Sequence, residues 1–189
     1  GKFATDVTTA SRTSLFNLTT NEWDVDLCRI FEVPMSVLPE IRSTVTSFGF
    51  VNRTPVFANV TDQQAALYGH GCRHPGDAKI TFGTGAFMLG ITGNEAISAP
   101  ASGLLPTPAW RIDAATTYAL DGGVFHAGGA LEWASRVGIL QGFHELDQFH
   151  SQPAIARGLA FVPALSGLAC PHWDRDAAPL WIGMSPETS

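Results

Sequence analysis

From Val56 to Gly90 the chain reads VFANVTDQQAALYGHGCRHPGDAKITFGTGAFMLG. An apolar run of strand length, VFANV, stops at Thr61-Asp62. A segment of helix formers, QQAALYG, follows. Two more strand-like runs, AKITF and AFMLGI, are then joined through Gly83-Thr84-Gly85. A strand, a helix and a hairpin in immediate succession demand an α/β class. The hairpin makes the sheet mixed rather than wholly parallel.

The rest of the chain is consistent with that class. The run through Asp6 predicts a turn, and Ser14 to Leu18 a short element. Asp24-Val25-Asp26 opens a helix, with Val25, Leu27, Ile30 and Phe31 near helical spacing, and Val33-Pro34 stops it. A second short helix is predicted from Ser36 (SVLPE). Residues 42–55 read as a polar connector, and Pro55 forces its predecessor extended into a buried VFANV strand. His74-Pro75-Gly76-Asp77 is a turn. Residues 93–110, rich in Pro, Gly and Ser, read as a loop, and TTYAL as a strand. GGALEWASRVG reads as a helix with Ala130, Leu131, Trp133, Ala134 and Val137 on its apolar face. HELDQF predicts a short amphipathic helix, and the segment from Gly158 to Trp181 a strand with a long loop.

Composition narrows the partners. The 189 residues carry a net charge of -6, with no basic-aromatic stripe, so a nucleic acid is not an expected partner. No apolar run reaches membrane-span length and the start resembles no signal peptide, so no membrane partner is expected either. Three cysteines, Cys28, Cys72 and Cys170, are odd in number and far apart, which points to a reducing, cytoplasmic setting. The chain begins at Gly1-Lys2 without an initiator Met, as a fragment would.

Four features can carry chemistry. Asp62, at the end of a strand, can point into a crevice and accept a proton from an attacking alcohol. Asp is equally a favoured helix N-cap, and Thr61 could take that place instead. The glycines of Gly83-Thr84-Gly85 let backbone N–H groups approach an anion, with the Thr84 hydroxyl beside them; the same residues suit an ordinary hairpin turn. Gly122-Gly123 and Gly128-Gly129 frame a strand-to-helix passage, which suits a phosphate at a helix N-terminus or close packing of helix on sheet. His70, Cys72 and His74, with Cys170 and His172, alternate in a spacing foreign to the usual zinc patterns, and no metal site is expected from them.

The order of these segments resembles the FGGY carbohydrate kinases, and within them the glycerol kinase branch. The resemblance runs through TDVTTASRTSLFN, TDQQAALYG, ITFGTGAFMLGITG, YALDGGVFHAGGALEW and FVPALSGLACPHWD, from about Val7 to Gly183. It implies an actin-like (ribonuclease H-like) ATPase fold, a mixed sheet with flanking helices, present here incompletely. Residues 1–60 would end an N-terminal substrate-binding domain, and residues 61–189 would begin a C-terminal ATP-binding domain.

The resemblance also implies roles. Asp62 matches the catalytic base and a substrate contact. Gln63 and Phe87 match polyol contacts, while Thr84, Gly85, Gly128 and Glu132 match positions at the nucleotide. ATP and Mg²⁺ are the implied cofactors. The implied substrate is a polyol or sugar, glycerol foremost, with ADP as product and room for a homo-oligomer. Thr61 stands where the family commonly has Gly, and Glu132 where glycerol kinases often have Gln. The family's opening half is missing, so this chain alone is expected to be inactive. The alternative is a non-catalytic, actin-like nucleotide-binding module.

Overall fold

A computed structural model describes residues 2–148, 152–186 and 188. The chain divides into two compact units. Unit 1 comprises residues 1–79 and 88–121; unit 2 comprises residues 80–87 and 122–189.

Unit 1 begins with β1 (Ala4–Asp6), which pairs in parallel with β4 (Glu40–Arg42), Ala4 opposite Glu40 and Asp6 opposite Arg42. Between them lie α1 (Val7–Ala10), the short antiparallel pair β2 (Phe16–Asn17) and β3 (Glu22–Trp23), and α2 (Val25–Ile30). Asp24 caps α2 as expected, accepting from the backbone N–H groups of Asp26 and Leu27. Glu32, at φ 56°, turns the chain out of it. Val7, Ala10 and Phe16 form one small core, with Leu18, Trp23 and Ile41 against it.

Three expectations fail in the next stretch. The helix predicted from Ser36 is a single 3₁₀ turn, Met35–Val37, because Leu38 before Pro39 is already extended. The connector of residues 42–55 contains β5 (Val45–Val51), which folds back on β6 (Thr54–Ala58) through Asn52 at φ 56°. The predicted VFANV strand is therefore present but not buried. Its only strand partner among the described residues is β5, and Phe57 is 61% exposed.

α3 (Asp62–Gly69) follows, closed by His70 and by Gly71 at φ 83°. A four-stranded sheet has the order β7 (Ala78–Phe82), β8 (Ala86–Gly93), β10 (Ala115–Val124), β9 (Leu105–Ile112). β9 and β10 are antiparallel, with a bulge at Thr117/Tyr118. The loop predicted for 93–110 thus ends at Gly103–Leu104, where β9 begins. The main core of unit 1 gathers Leu67, Cys72, Leu89, Ile91, Ala109, Trp110 and Ala119.

Unit 2 takes the ends of β7, β8 and β10, then α4 (Gly128–Arg136) and the antiparallel pair β11 (Ala160–Val162) and β12 (Leu180–Ile182). The apolar face predicted for α4 is only partly covered, with Leu131 and Val137 exposed. Trp133 instead stacks on Phe161 at 5.3 Å, and Phe161 on Trp181 at 4.3 Å, the planes inclined by 18° in each pair. HELDQF forms a 3₁₀ helix, Phe143–Gln148, rather than an α-helix; Phe149 lies outside the described residues. No helix among the described residues is long and apolar enough to cross a membrane, and no disulfide joins the three cysteines.

Candidate active site

The start of α3 is held by buried polar side chains. Asp6 is fully buried, so its carboxylate needs donors close at hand. It receives them from Thr8 Oγ1, 2.9 Å from both oxygens, from the Thr9 N–H at 2.9 Å and from Thr44 Oγ1 at 2.8 Å. Thr8 Oγ1 in turn accepts the Thr61 N–H at 3.0 Å. The Thr61 hydroxyl donates to Gln64 Oε1, and Gln64 Nε2 donates to the Pro108 carbonyl at 3.3 Å. The residue before Asp62 is thus tied to α1, and the residue two after it to β9.

Thr61 takes the cap position, with an extended backbone at φ -71°, ψ 154°, and makes no side-chain capping bond. Asp62 is the first helical residue. Its exposed carboxylate accepts the Gln63 N–H at 2.7 Å and sits at the positive end of the helix.

Sequence reading overlooked the groups gathered around this helix start. Lys79, in β7, is 7% exposed, and its ammonium donates to Gln63 Oε1. Burial holds Lys79 below the ordinary lysine value, and the negative charges of Asp62 and Asp121 oppose that shift. Asp121, in β10, is pushed above the ordinary carboxylate value by its own burial, against the pull of Arg12 and Lys79. Arg12 Nη1 lies 3.3 Å from Asp121 Oδ2, and Arg12 Nη2 donates to the buried Thr107 hydroxyl. Ser11, Arg12, Leu105, Pro106, Thr107 and Asp121 line a hollow of about 240 Å³. A second hollow, of about 310 Å³, beside α3 is lined by Val45, Val60, Ala65, Tyr68 and Trp110 among others. No carboxylate, lysine or arginine lines it.

The signal for Lys79 lay in AKITF, where one lysine interrupts an apolar strand in a chain with only 15% charged residues. Arg12, Asp121 and Thr107 share no spacing with it, so no motif announces them.

In unit 2 the Gly83-Thr84-Gly85 turn is tightly packed. The Gly83 N–H donates to the Gly85 carbonyl at 2.8 Å. Neither glycine has a positive φ; crowding requires Gly85, whereas a Cβ on Gly83 would meet only the Gly85 carbonyl oxygen, at 3.9 Å. A Cβ on Gly85 would lie 2.5 Å from the Val124 carbonyl oxygen and 3.0 Å from the Phe87 ring. One on Gly123 would lie 2.6 Å from that ring, so the Phe87 ring packs against bare backbone at both glycines.

The start of α4 is stitched onto the same turn. Gly128 N–H donates to Gly83 O at 2.9 Å, and the N–H groups of Ala127 and Gly129 donate to Thr84 O at 2.7 and 2.9 Å. A Cβ on Gly128 would come within 2.7 Å of Gly83 O. Gly128 therefore serves close approach of helix to turn, and the first amides of α4 bond to protein carbonyls. Glu132, one helical turn further, is exposed.

The expected site residues thus form two groups. Asp62 and Gln63 lie in unit 1; Thr84, Gly85, Phe87, Gly128 and Glu132 lie in unit 2. The alternating His and Cys residues do not assemble a centre: among the described residues no group of three or more His, Cys, Asp or Glu side chains is placed to hold a metal.

Comparison with known proteins gives the family. The model for the N-terminal domain of the FGGY family of carbohydrate kinases matches residues 1–69, and that for its C-terminal domain matches residues 78–189. A glycerol kinase of Alkalilimnicola ehrlichii is 42% identical over 191 aligned positions, which cover 97% of this chain and 38% of that protein. The structure of a Plasmodium falciparum glycerol kinase with ADP superposes with a TM-score of 0.87 at 35% identity, over 100% of this chain and 39% of that one. A ligand-bound xylulose kinase of Lactobacillus acidophilus gives 0.80 at 26% identity, over 98% and 39%. The chain spans less than half the length of each. It belongs to the FGGY family of carbohydrate kinases and has the mixed α/β, actin-like ATPase fold of that family.

Proposed function

We propose that this chain is the part of an ATP-dependent polyol kinase that carries the catalytic base, with a primary hydroxyl of glycerol as the favoured acceptor. The observation that carries the reading is the start of α3. Asp62 is exposed at the first helical position, beside Gln63 and the buried Lys79, on a backbone fixed by Thr8 and Asp6. Residues 1–60 would close the substrate-binding domain and residues 61–189 would open the ATP-binding domain. Turnover is assigned to the natural full-length protein, in the reducing cytoplasm.

In this reading the acceptor hydroxyl gives its proton to the Asp62 carboxylate as its oxygen bonds to the γ-phosphorus in line. The bond from γ-phosphorus to the bridging oxygen breaks, and ADP departs. Gln63 and Phe87 hold the polyol; Thr84 and Gly85 face the phosphates, with Gly128 and Glu132 nearer the nucleoside. Mg²⁺ commonly arrives on nucleotide phosphates and keeps several waters, so it asks few ligands of the protein. When bound with ATP it supplies neutralising charge on the transferring phosphoryl group.

The test is Asp62→Asn in the full-length protein, assayed on a panel of polyols and sugars. Loss of phosphoryl transfer with retained ADP binding supports the role; an unchanged rate removes it.

A further inference from the structure

Lys79 is nearly inaccessible to water, yet it carries a charge that is retained inside a protein only with partners. Its ammonium donates to Gln63 Oε1, and the carboxylates of Asp62 and Asp121 act on it. An ammonium has three donors and no acceptor. Only the oxygen end of a carboxamide can therefore face it. The Lys79 contact fixes which end of the Gln63 side chain is which, and the other end, Nε2, is purely a donor. The neighbouring Asp62 carboxylate is purely an acceptor. One donor and one acceptor on adjacent residues match the two capacities of an alcohol.

We propose that Lys79 is a positioning residue that locks the Gln63 carboxamide with its donor end presented to the acceptor alcohol. The alcohol oxygen then accepts from Gln63, and the hydroxyl proton is directed to Asp62. The inference deepens the polyol kinase reading and rests on it. It predicts discrimination as well as affinity, because a Gln63 side chain free to flip would offer an acceptor where the alcohol oxygen needs a donor.

The test uses the natural full-length protein and steady-state kinetics with glycerol and ATP varied separately. Lys79→Met should raise KM for glycerol by about ten- to a hundredfold, the range of a charge-assisted hydrogen bond, and leave KM for ATP unchanged. Gln63→Ala should do the same, and the double variant should lose no more than either single one. Lys79→Arg, also a pure donor, should recover most of the loss. If Lys79→Met melts early, the Arg variant and Lys79→Gln, which lets the carboxamide flip, carry the same comparison. Additive losses in the double variant, or a Lys79→Arg protein as poor as Lys79→Gln, overturn the inference while the kinase reading stands. A wild-type protein that phosphorylates no polyol overturns both.

Discussion

The hydroxyl of Thr8 accepts the backbone N–H of Thr61 at 3.0 Å while bonding to the buried carboxylate of Asp6. One side chain thus couples the first helix of the chain to the peptide immediately before Asp62. Replacing Thr8 by Val keeps the volume but leaves the Thr61 N–H without its acceptor and removes one of the donors to Asp6, which keeps the Thr9 N–H and the Thr44 hydroxyl. The expected loss is about 1–3 kcal/mol, the cost of a polar group left without its bond. Thermal melting should fall by roughly 2–4 °C per kcal/mol for a chain of this size. Thr8→Ser, which keeps the hydroxyl, should recover most of it.

Asp62→Asn should be nearly silent in stability, since the side chain is exposed and an amide oxygen can still accept the Gln63 N–H. In the full-length protein it should lower the rate of transfer by roughly 10²–10⁴-fold, the usual contribution of a positioned base. Melting curves and a coupled ADP-release assay separate the two effects.

The glycines around the turn should not respond alike to alanine. Gly85→Ala places a methyl group 2.5 Å from the Val124 carbonyl, and Gly128→Ala places one 2.7 Å from that of Gly83. Each backbone must shift, at a cost of about 1–3 kcal/mol. Gly69, at the end of α3, has no atom within 4 Å of its would-be Cβ and no positive φ. Gly69→Ala should be neutral or stabilise by about 0.4–1 kcal/mol. Urea titration of the three variants ranks them directly.

Asp121 gives a pH signature. Burial raises its carboxyl in the folded chain, so the folded state takes up a proton at a pH where the unfolded chain does not. That contribution favours folding below the unfolded value, near 3.9, and fades as pH rises through the raised folded value. The stability of the wild type minus that of Asp121→Asn should therefore grow as pH falls from neutrality through the carboxylate range. Denaturant unfolding at a series of pH values reads the difference, and a difference that shrinks with acid would contradict the assignment.

Much of this was visible in the sequence wherever local chemistry decides the outcome. Asp24 opens α2, and Gly83-Thr84-Gly85 joins two strands, each through bonds made within a few residues. β5 and β9 were hidden for different reasons. Thr46, Ser47 and Gly49 break the apolar rhythm of the first, and Pro106 and Pro108 mimic a loop in the second. The α4 face was misjudged because Trp133 finds its partner in Phe161, itself stacked on Trp181, far along the chain. The charged cluster around Gln63 was illegible for the same reason. Arg12, Lys79 and Asp121 meet only through the sheet, and no spacing in the sequence encodes that meeting.

The Trp133–Phe161–Trp181 stack also gives the molecule an optical signature. Two indoles, one from α4 and one from β12, each stacked at a fixed inclination on the one phenyl ring of β11, should couple their transitions and produce near-ultraviolet circular dichroism. Trp110, buried edge-on against Tyr68 in unit 1, should emit towards the blue. The two units therefore carry separable spectroscopic colours, and each can be watched through titration or heating without adding a label.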